Sequence, residues 1–413
     1  MLSDEVIEKV SERLINRIEQ ANTYILTKMG EDIKKIGSLT PTEAQQLGQI
    51  LKYGGDYEKI ARELARITNL NVQDIYEIFE EVAKSDYRFA KQFYDYRGVR
   101  YIPYDQNIEL HRQVDAIRNI MLQNYISKTN AIGFTFTDLN GNKTFKSLEN
   151  TYRELIDKAV LSVSQGKTTF QDEMYRAIKE IGASGLKTLD YESGRSMRLD
   201  SAVRMQMRDT LRELHNEEQR LFGEEFDADG VELSVHFNPA PDHEEAQGKQ
   251  FSNEEYEKLQ TTGIATTYDN KQVDMHLELK DGSSALTFRP ISKHNCYHYT
   301  FAIVLGVSEQ AYSNEELKKI IDDNNKGFEL DGKHYTNYEG TQLQRSIERK
   351  IREQKDIQIM ARSSDQQDIV QECQKNISNL TKKYKELSSN SGLKTKMQRL
   401  RVSSYKKVGG LDK

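Results

Sequence analysis

The chain has few cysteines, and it lacks both a long apolar run and an apolar leader. Its two cysteines, Cys296 and Cys373, exclude a disulfide framework and favour folding in a reducing cytoplasm. The first thirty residues are charged throughout, which is not the pattern of a secretion signal. The longest apolar run, FAIVLGV at 301–307, is far too short to cross a bilayer. We therefore expect a soluble protein without membrane contact.

Tryptophan is absent, and proline occurs only five times in 413 residues. Because proline interrupts helices, this scarcity favours long uninterrupted ones. Only 36% of the residues are hydrophobic while 30% are charged, which predicts modest cores and broad polar helical surfaces. A chain of this length suits about two to four domains.

The net charge of −6 is unevenly distributed. Residues 341–413 carry 17 Lys and Arg against 8 Asp and Glu, which gives this part +9 and leaves 1–340 at −15. Six basic residues and no acidic one fall within 394–407: Lys394, Lys396, Arg399, Arg401, Lys406 and Lys407. Such a basic tail can contact DNA phosphates or an acidic protein surface. The alternative is a solvated charged tail, because basic runs are common and carry no geometry of their own.

Helical periodicity dominates the chain. One amphipathic helix is predicted over 3–37 from apolar residues at helical spacing, namely Val10, Leu14, Ile18, Ile25, Ile33 and Ile36. Thr40 as N-cap, Pro41 at the first position and Glu43 predict the start of the next helix. Two helices are then predicted with buried faces on Ile60/Leu64/Ile67 and Ile75/Phe79/Val82. Others are predicted at about 106–127, 148–164, 170–182, 195–222, 314–323, 340–362 and 365–388. Core and interhelix packing is the simplest interpretation of the apolar stripes.

The period changes to two within 132–145, where Asn140-Gly141 supplies the turn of a β-hairpin. Strands are also predicted in VELSVHF (231–237) and YTFAIVLGV (299–307), and a second hairpin turns on Asp331-Gly332. The predicted fold class is α+β, predominantly helical. Four regions are expected: a helical N-terminal region (1–128), a hairpin with helices leading into the core (129–225), a small-sheet module (226–308), and a helical C-terminal arm with the basic tail (309–413).

The segment HNCYH, residues 294–298, brings two histidines and a cysteine together. Zinc accepts thiolate and imidazole ligands in tetrahedral sites, so Cys296 with two or three histidines suits this metal. In a straight strand His294 and His298 would lie about 13 Å apart at Cα, so a shared ion requires a turn. His243 is the predicted fourth ligand. The sequence thus gives one candidate metal site, at His243, His294, Cys296 and His298, with zinc as its cofactor.

Two other interpretations of this cluster stay open. Cys296 could be a nucleophile activated by His243 or His298, although no nucleophile elbow or oxyanion-hole motif accompanies it. The leading interpretation is structural, because buried polar groups must find hydrogen-bond partners. On that interpretation the following side chains fix loops to a small sheet: Asp242, His243, Gln247, His294 and His298.

Several segments in order resemble one known family. They are YESGRSMRLDSAVRMQMRDTLREL (191–214), HFNPAPDHEEAQGKQFS (236–252), HNCYH (294–298), GKHYTNYEGTQLQRSIERKIREQK (332–355) and SGLKTKMQRLRV (391–402). With them the chain resembles the phage minor capsid protein 2 family, relatives of the MuF-like head morphogenesis proteins of tailed phages and prophages. The resemblance covers nearly the whole chain, and it identifies region 226–308 as the MuF-like module.

The resemblance implies a structural minor head protein rather than an enzyme. Such a protein is present in the host cytoplasm during assembly and then lies, in few copies, inside the procapsid near the portal. It assists head morphogenesis and DNA packaging or ejection. The implied partners are the portal protein, other capsid or scaffold proteins, further copies of the chain, and double-stranded DNA. The N-terminal helices would dock through their apolar stripes, and the basic tail would face the packaged DNA.

Carried over residue by residue, the family motif falls on Asp242, His243, Gln247, Gly248, Lys249, His294, Cys296 and His298. Family members often have Ser or Arg near the Asp-His pair and Trp before the Gln, whereas this chain has Pro241 and Ala246 there. The alternatives from other classes are a zinc- or thiol-dependent hydrolase, an effector delivered from the phage head, and a plain DNA-binding protein.

Overall fold

The computed structural model of the chain describes residues 4–53, 55–190, 193–278, 286–293 and 296–403. Three candidate residues of the sequence analysis, His294, Lys406 and Lys407, lie outside the described residues. Within the described ranges, no helix combines the length and the apolar character needed to cross a membrane.

Most of the described residues are helical. The helices are α1 (Asp4–Gly37), α2 (Pro41–Tyr53), α3 (Gly55–Arg97), α4 (Ile108–Asn130), α5 (Leu148–Gln165), α6 (Lys167–Ser184), α7 (Leu199–Glu225), α8 (Asn253–Thr262), α9 (Asn314–Lys326), α10 (Asn337–Ser363) and α11 (Gln367–Ser391). All but α8, which lies where no helix was predicted, are at or near predicted helix positions. Together with the small sheets described next, they confirm the predicted α+β class with a helical majority.

The strands are short and pair antiparallel. They are β1 (Ile132–Thr137), β2 (Lys143–Ser147), β3 (Lys187–Leu189), β4 (Ser196–Arg198), β5 (Gly230–Leu233), β6 (Gln250–Ser252), β7 (Ile264–Thr266), β8 (Gln272–Asp274), β9 (Leu277–Glu278), β10 (Leu286–Thr287), β11 (Thr300–Ile303), β12 (Phe328–Leu330) and β13 (Lys333–Tyr335). One sheet has the order β2-β1-β3-β4 and another β11-β5-β6, while β7-β8, β9-β10 and β12-β13 form two-stranded pairs.

Both predicted hairpins are confirmed. In the first, β1 pairs with β2, Gly141 takes a φ of +84°, and the Asp138 carboxylate accepts the backbone N–H groups of Asn140 and Asn142, each at 2.8 Å. In the second, Asp331 and Gly332 both have positive φ, 52° and 75°. Positive φ at both central residues is the requirement of a type I′ hairpin turn.

The N-terminal helices begin and end close to the predicted positions. α1 ends at Gly37, and the Thr40 N–H donates to the Glu43 carboxylate at 3.0 Å at the start of α2. The apolar stripe of α1 is largely buried within the chain itself; its fully buried members are Leu14, Ile18, Ile25, Ile33 and Ile36, while Val10 is half-buried. Core packing, the simplest interpretation of the stripes, is therefore what this stripe does, and it is not available for docking; docking of the N-terminal region on the portal or on further copies stays a prediction.

Two predicted boundaries differ from the structure. The two helices predicted after Gly55 are one continuous helix, α3. Its central Asn71 is fully buried and donates to the Tyr125 hydroxyl at 2.9 Å, so a polar residue satisfied by tertiary contact does not interrupt the helix. The helix predicted over 195–222 begins at Leu199, because residues 196–198 form β4.

The chain divides into two compact units, and each is assembled from three segments. Unit 1 contains Met1–Ser11, Ile75–Leu122 and Met205–Gln342, whereas unit 2 contains Glu12–Asp74, Gln123–Arg204 and Leu343–Lys413. Long-range packing thus joins segments that are far apart in sequence. The four regions expected from the sequence stay a prediction about the order of modules along the chain.

Unit 1 has an apolar core beside the sheet β11-β5-β6. Its buried members are Leu233, Ala246, Phe251, Leu259, Ala265, Val273, Met275 and Ile291. The short helix α8 closes over this core, and the Ser252 hydroxyl caps it by accepting the Glu255 N–H at 3.2 Å. Residues 243–247 follow β5, and residues 296–298 precede β11, so the pairing of these two strands brings the two motif segments together.

Unit 2 is held by a buried ionic network. Arg198 lies between two carboxylates, donating to Asp200 at 3.1 Å and to Asp356 at 2.5 Å, and Arg352 also donates to Asp200. The Asn22 amide donates to Asp356 at 3.0 Å. These contacts join α1, β4, α7 and α10 within the unit. Each buried charge needs such partners, because an unpaired one costs several kcal/mol.

Glu19 of α1 lies beside this network with 7% of its surface exposed. Burial and the neighbouring Asp200 raise the pKa of Glu19 to about 7, against the pull of Arg352, Arg204 and Arg198. Its folded-state pKa is thus above the unfolded value. The stability that the protonated group contributes is complete below the unfolded pKa and is lost as the pH rises through 7.

Glu19→Gln should therefore raise the stability of the protein at pH 8 and have little effect at pH 4. The expected gain in the free energy of unfolding at pH 8 is up to about 3 kcal/mol. Chemical denaturation at both pH values measures it. Glu12→Gln on the same helix is the control for removing one charge from a half-buried position. A Glu19→Gln effect of equal size at both pH values would contradict this account of Glu19.

Candidate functional site

The candidate site lies in unit 1, where two motif segments meet. The first is a series of turns after β5: the Gln247 N–H donates to the His243 carbonyl at 3.1 Å, and the Gly248 N–H donates to the Leu233 carbonyl at 3.1 Å. Gly248 has a φ of +66°, and a Cβ there would lie 2.5 Å from Leu317. Glycine therefore lets the chain return into β6.

His243, Cys296 and His298 form a compact buried group. Cys296 Sγ lies 3.4 Å from His243 Nδ1 and 3.5 Å from His298 Nδ1. The three residues are 1%, 2% and 2% exposed, and their three ligand atoms lie within 4.8 Å of one another. The structure therefore brings together three of the four predicted zinc ligands, while His294 lies outside the described residues.

The outer nitrogens of both imidazoles are fixed by acceptors. His243 Nε2 lies 2.8 Å from the Arg289 carbonyl oxygen, so it carries the proton and donates. His298 Nε2 lies 3.4 Å from Gln247 Oε1, and the His236 backbone N–H donates to the same oxygen at 2.9 Å. That backbone donor fixes which end of the Gln247 amide faces the ring. Both Nδ1 atoms consequently turn a lone pair toward the sulphur.

The electrostatics of the group do not favour a thiol nucleophile. Burial raises the pKa of the Cys296 thiol, and the His298 N–H that donates to Sγ at 3.3 Å offsets this only in part. Burial also lowers the pKa of His243 and holds the pKa of His298 well below its usual value. Reactive cysteines instead have a depressed pKa and partial exposure.

Asp242 and His243 hold Arg289 from both ends. The Asp242 carboxylate accepts Nε and Nη2 of Arg289, each at 2.6 Å, and His243 donates to the Arg289 carbonyl. Asp242 is 5% exposed and Arg289 side-chain exposure is 33%. A bidentate pair of this kind fixes orientation as well as contributing energy. The Asp-His motif therefore acts here as a clamp on the segment before Cys296.

One polar face of α7 anchors the backbone on the other side of the group. Arg212 is fully buried and donates to the Cys296 carbonyl. His215 Nε2 lies 3.2 Å from the Thr300 carbonyl oxygen, and Asn216 accepts the Thr300 N–H at 3.1 Å. Sequence reasoning missed these three residues as site residues. Their spacing of three and four along an amphipathic helix, continued by Gln219, is the signal that could have found them.

The remaining family-motif residues do not all lie at the His/Cys group. Gln247 and Gly248 belong to the buried group and its turn, but Lys249 extends away from it and donates to the side chain of Asn314. Gln247 Nε2 is a buried donor with no hydrogen-bond partner among the described residues. The motif is thus a structural unit around the His/Cys group, with Lys249 at its margin.

The described part of the basic tail is docked on unit 2. Leu400 and Val402 are buried, at 4% and 6% exposure, and the Lys396 N–H donates to the Tyr384 hydroxyl at 2.9 Å. Lys355 donates to the Leu400 carbonyl. Of the predicted DNA-contacting residues in this part, Lys394, Lys396 and Arg401 are exposed, and Arg399 is half-buried. Side chains that contact phosphate would therefore project from an anchored segment.

We expect the Asp242–Arg289 pair to be a strong local contributor to stability. Asp242→Ala leaves the guanidinium without its bidentate acceptor and should lower the free energy of unfolding by about 2–4 kcal/mol. A double-mutant cycle with Arg289→Ala isolates the pair, with an expected coupling of about 1–3 kcal/mol. Additive effects of the two substitutions would contradict the clamp.

Comparison with known proteins accords with the motifs. No curated protein matches the chain, and no solved structure matches it. The family model described as phage minor capsid protein 2 matches residues 2–388, a span that contains every element from α1 to α10 and the whole of the His/Cys group. The chain belongs to the phage minor capsid protein 2 family.

Proposed function

We propose that the protein is a structural component of a tailed-phage head that associates with the portal inside the procapsid and assists assembly and DNA packaging or ejection. The observation that carries this proposal is the family match over residues 2–388. Membership of a minor capsid family implies a virion component that associates with other head proteins. The contact with the portal, the position inside the procapsid and the contact with DNA are proposed here in addition to what the family implies.

The His/Cys group supports a structural role over a hydrolytic one. Catalytic zinc sites keep an open position for water and substrate, whereas His243, Cys296 and His298 are 1–2% exposed. Their outer contacts are the Arg289 backbone carbonyl and the side-chain amide oxygen of Gln247, both in the same unit. A group with these surroundings holds loops in place. A head component that persists through assembly and packaging requires loops that are fixed in this way.

The connection between α3 and α4 supports a contact with another head protein. Three apolar side chains near it are exposed: Val99 at 41%, Ile102 at 41% and Ile108 at 71%. We call residues 98–108 the tyrosine-held connection. Exposed apolar groups that cluster in one segment are typical of interaction surfaces.

Tyrosines fix the backbone of this connection. The Tyr87 hydroxyl donates to the Ile102 carbonyl at 3.0 Å, and the Tyr87 ring stacks on Tyr101 at 5.1 Å between centroids. The Tyr104 hydroxyl donates to Glu80 at 3.2 Å. A preordered surface loses little conformational entropy when it binds. The tyrosine-held connection lies within the N-terminal region 1–128, to which the sequence analysis gave the docking role, and we propose it as the surface that contacts the portal.

The double variant Ile102→Glu/Ile108→Glu should lower co-sedimentation with portal rings of the same phage by about tenfold or more, because charge in an apolar contact is strongly unfavourable. Both side chains are exposed, and Glu at the first position of α4 favours the helix. Ile50→Glu, at an exposed position of α2, is the matched control. Equal co-sedimentation of wild type and the double variant would remove this docking surface.

The C-terminal arm supports the DNA contact. Residues 341–413 carry a net charge of +9, and the anchored segment of unit 2 exposes Lys394, Lys396 and Arg401. Cations on a fixed segment can meet phosphates without the entropy cost of ordering a free tail. The proposed contact reads no sequence, because it consists of charges that face the phosphate backbone.

Lys394→Gln/Lys396→Gln/Arg401→Gln should weaken binding to duplex DNA and reduce its salt dependence. If each side chain contacts one phosphate, the slope of log affinity against log salt falls by about 3. Fluorescence anisotropy with labelled duplex measures both quantities. The control is Lys318→Gln/Lys319→Gln/Lys326→Gln, which removes three exposed charges from α9. An equal change in both triple variants would mean that net charge alone is responsible and that the segment has no special role.

A further inference from the structure

The thiol of Cys296 faces more acceptors than its single proton can serve. Both neighbouring imidazoles use Nε2 as donor, His243 to the Arg289 carbonyl and His298 to Gln247 Oε1. Their Nδ1 atoms are therefore lone-pair acceptors, at 3.4 Å and 3.5 Å from Sγ. An S–H group can donate to one of them, which leaves the other lone pair directed at the sulphur. A cation bound by all three atoms removes this conflict.

The two sulphur–nitrogen separations match a tetrahedral zinc site. With Zn–S of about 2.3 Å and Zn–N of about 2.1 Å, sulphur and nitrogen ligands of one ion stand about 3.6 Å apart. The two observed separations are within 0.2 Å of this edge. The donor set of one thiolate and two imidazoles is the borderline-soft set that zinc prefers over magnesium or calcium.

The surroundings have the features of a metal site. Ligating histidines ordinarily donate their second N–H to a carbonyl or carboxylate, which fixes the tautomer and ring orientation; the Arg289 carbonyl and Gln247 Oε1 have this position. The His298 N–H donates to Sγ at 3.3 Å, a contact that stabilises a thiolate. Independently, Gln247 Nε2, in a residue only 1% exposed, is a buried donor without a partner among the described residues, and a further ligand on the ion would supply its acceptor.

We propose that His243 Nδ1, Cys296 Sγ and His298 Nδ1 bind one Zn²⁺ that joins the segment after β5 to the segment before β11. Binding replaces the thiol proton by a Zn–S bond, and the proton leaves to solvent. Within the described part of the chain no fourth His, Cys, Asp or Glu joins the three. All three ligands are buried, and zinc bound by them fixes the two segments to each other and contributes to the stability of unit 1.

The test uses the full chain purified without chelator, incubated with excess Zn²⁺ and desalted. Wild-type protein should retain about one zinc per chain, and Cys296→Ser and His298→Ala should retain less than about a tenth of that. The matched control is Cys373→Ser, which removes the other buried cysteine, in α11, and should keep its zinc. Metal content is measured by mass spectrometry and folding by circular dichroism.

Cobalt provides a readout that does not require the ligand variants to fold. Wild-type protein and Cys373→Ser loaded with Co²⁺ should both show the visible bands of tetrahedral cobalt and a near-ultraviolet thiolate charge-transfer band, which assigns the thiolate to Cys296. Absence of zinc from wild type after loading, or cobalt binding without the charge-transfer band, would overturn the proposal. So would equal zinc retention by folded Cys296→Ser. These outcomes are independent of the head-assembly role.

Discussion

Buried polar groups that must each find a partner are the constraint on which the described structure depends. Only 36% of the sequence is hydrophobic, so apolar clusters are supplemented by polar side chains that bind distant backbone or opposite charges. In unit 1, Arg212 holds the Cys296 carbonyl. In unit 2, Arg198 lies between Asp200 and Asp356. A buried polar network with unsatisfied members is less stable than an apolar core of the same size. Such groups therefore tolerate few alternative arrangements, and they give each unit a specific packing.

This organisation suits a protein whose task is to hold position in an assembly. The chain is a member of the phage minor capsid protein 2 family. The buried His/Cys group, the clamp of Asp242 on Arg289 and the tyrosine-held connection are all devices that fix backbone, and fixed backbone presents a surface at low entropic cost. The exposed cations near the C-terminus lie on a segment fixed in the same way, by Leu400 and Val402.

Local patterns predicted most of the helices and both hairpins, but they did not predict α8 or the short strands β3, β4 and β6 to β10. The hairpin turns at Asn140-Gly141 and Asp331-Gly332 need only local backbone chemistry. The two apolar faces of α3 were interpreted as two helices; Asn71, which lies between them, is buried by its contact with Tyr125, and no local pattern contains that partner. The meeting of His243 with Cys296 and His298 was expected as a metal hypothesis, but Arg212, His215 and Asn216 of α7 were missed. Side chains of a helix that bind a distant backbone appear in the sequence only as polar residues at helical spacing, which is a weak signal.

The most direct test of the central claim is the protein composition of purified procapsids and virions from cells that produce the phage encoding this chain. Quantitative mass spectrometry of the particles, with portal and major capsid protein as internal references, gives the copy number per portal ring. The account predicts that the chain is present in procapsids at low copy, in constant ratio to the portal, and is lost from particles assembled without the portal. A chain that is abundant in the lysate and absent from both kinds of particle would contradict it.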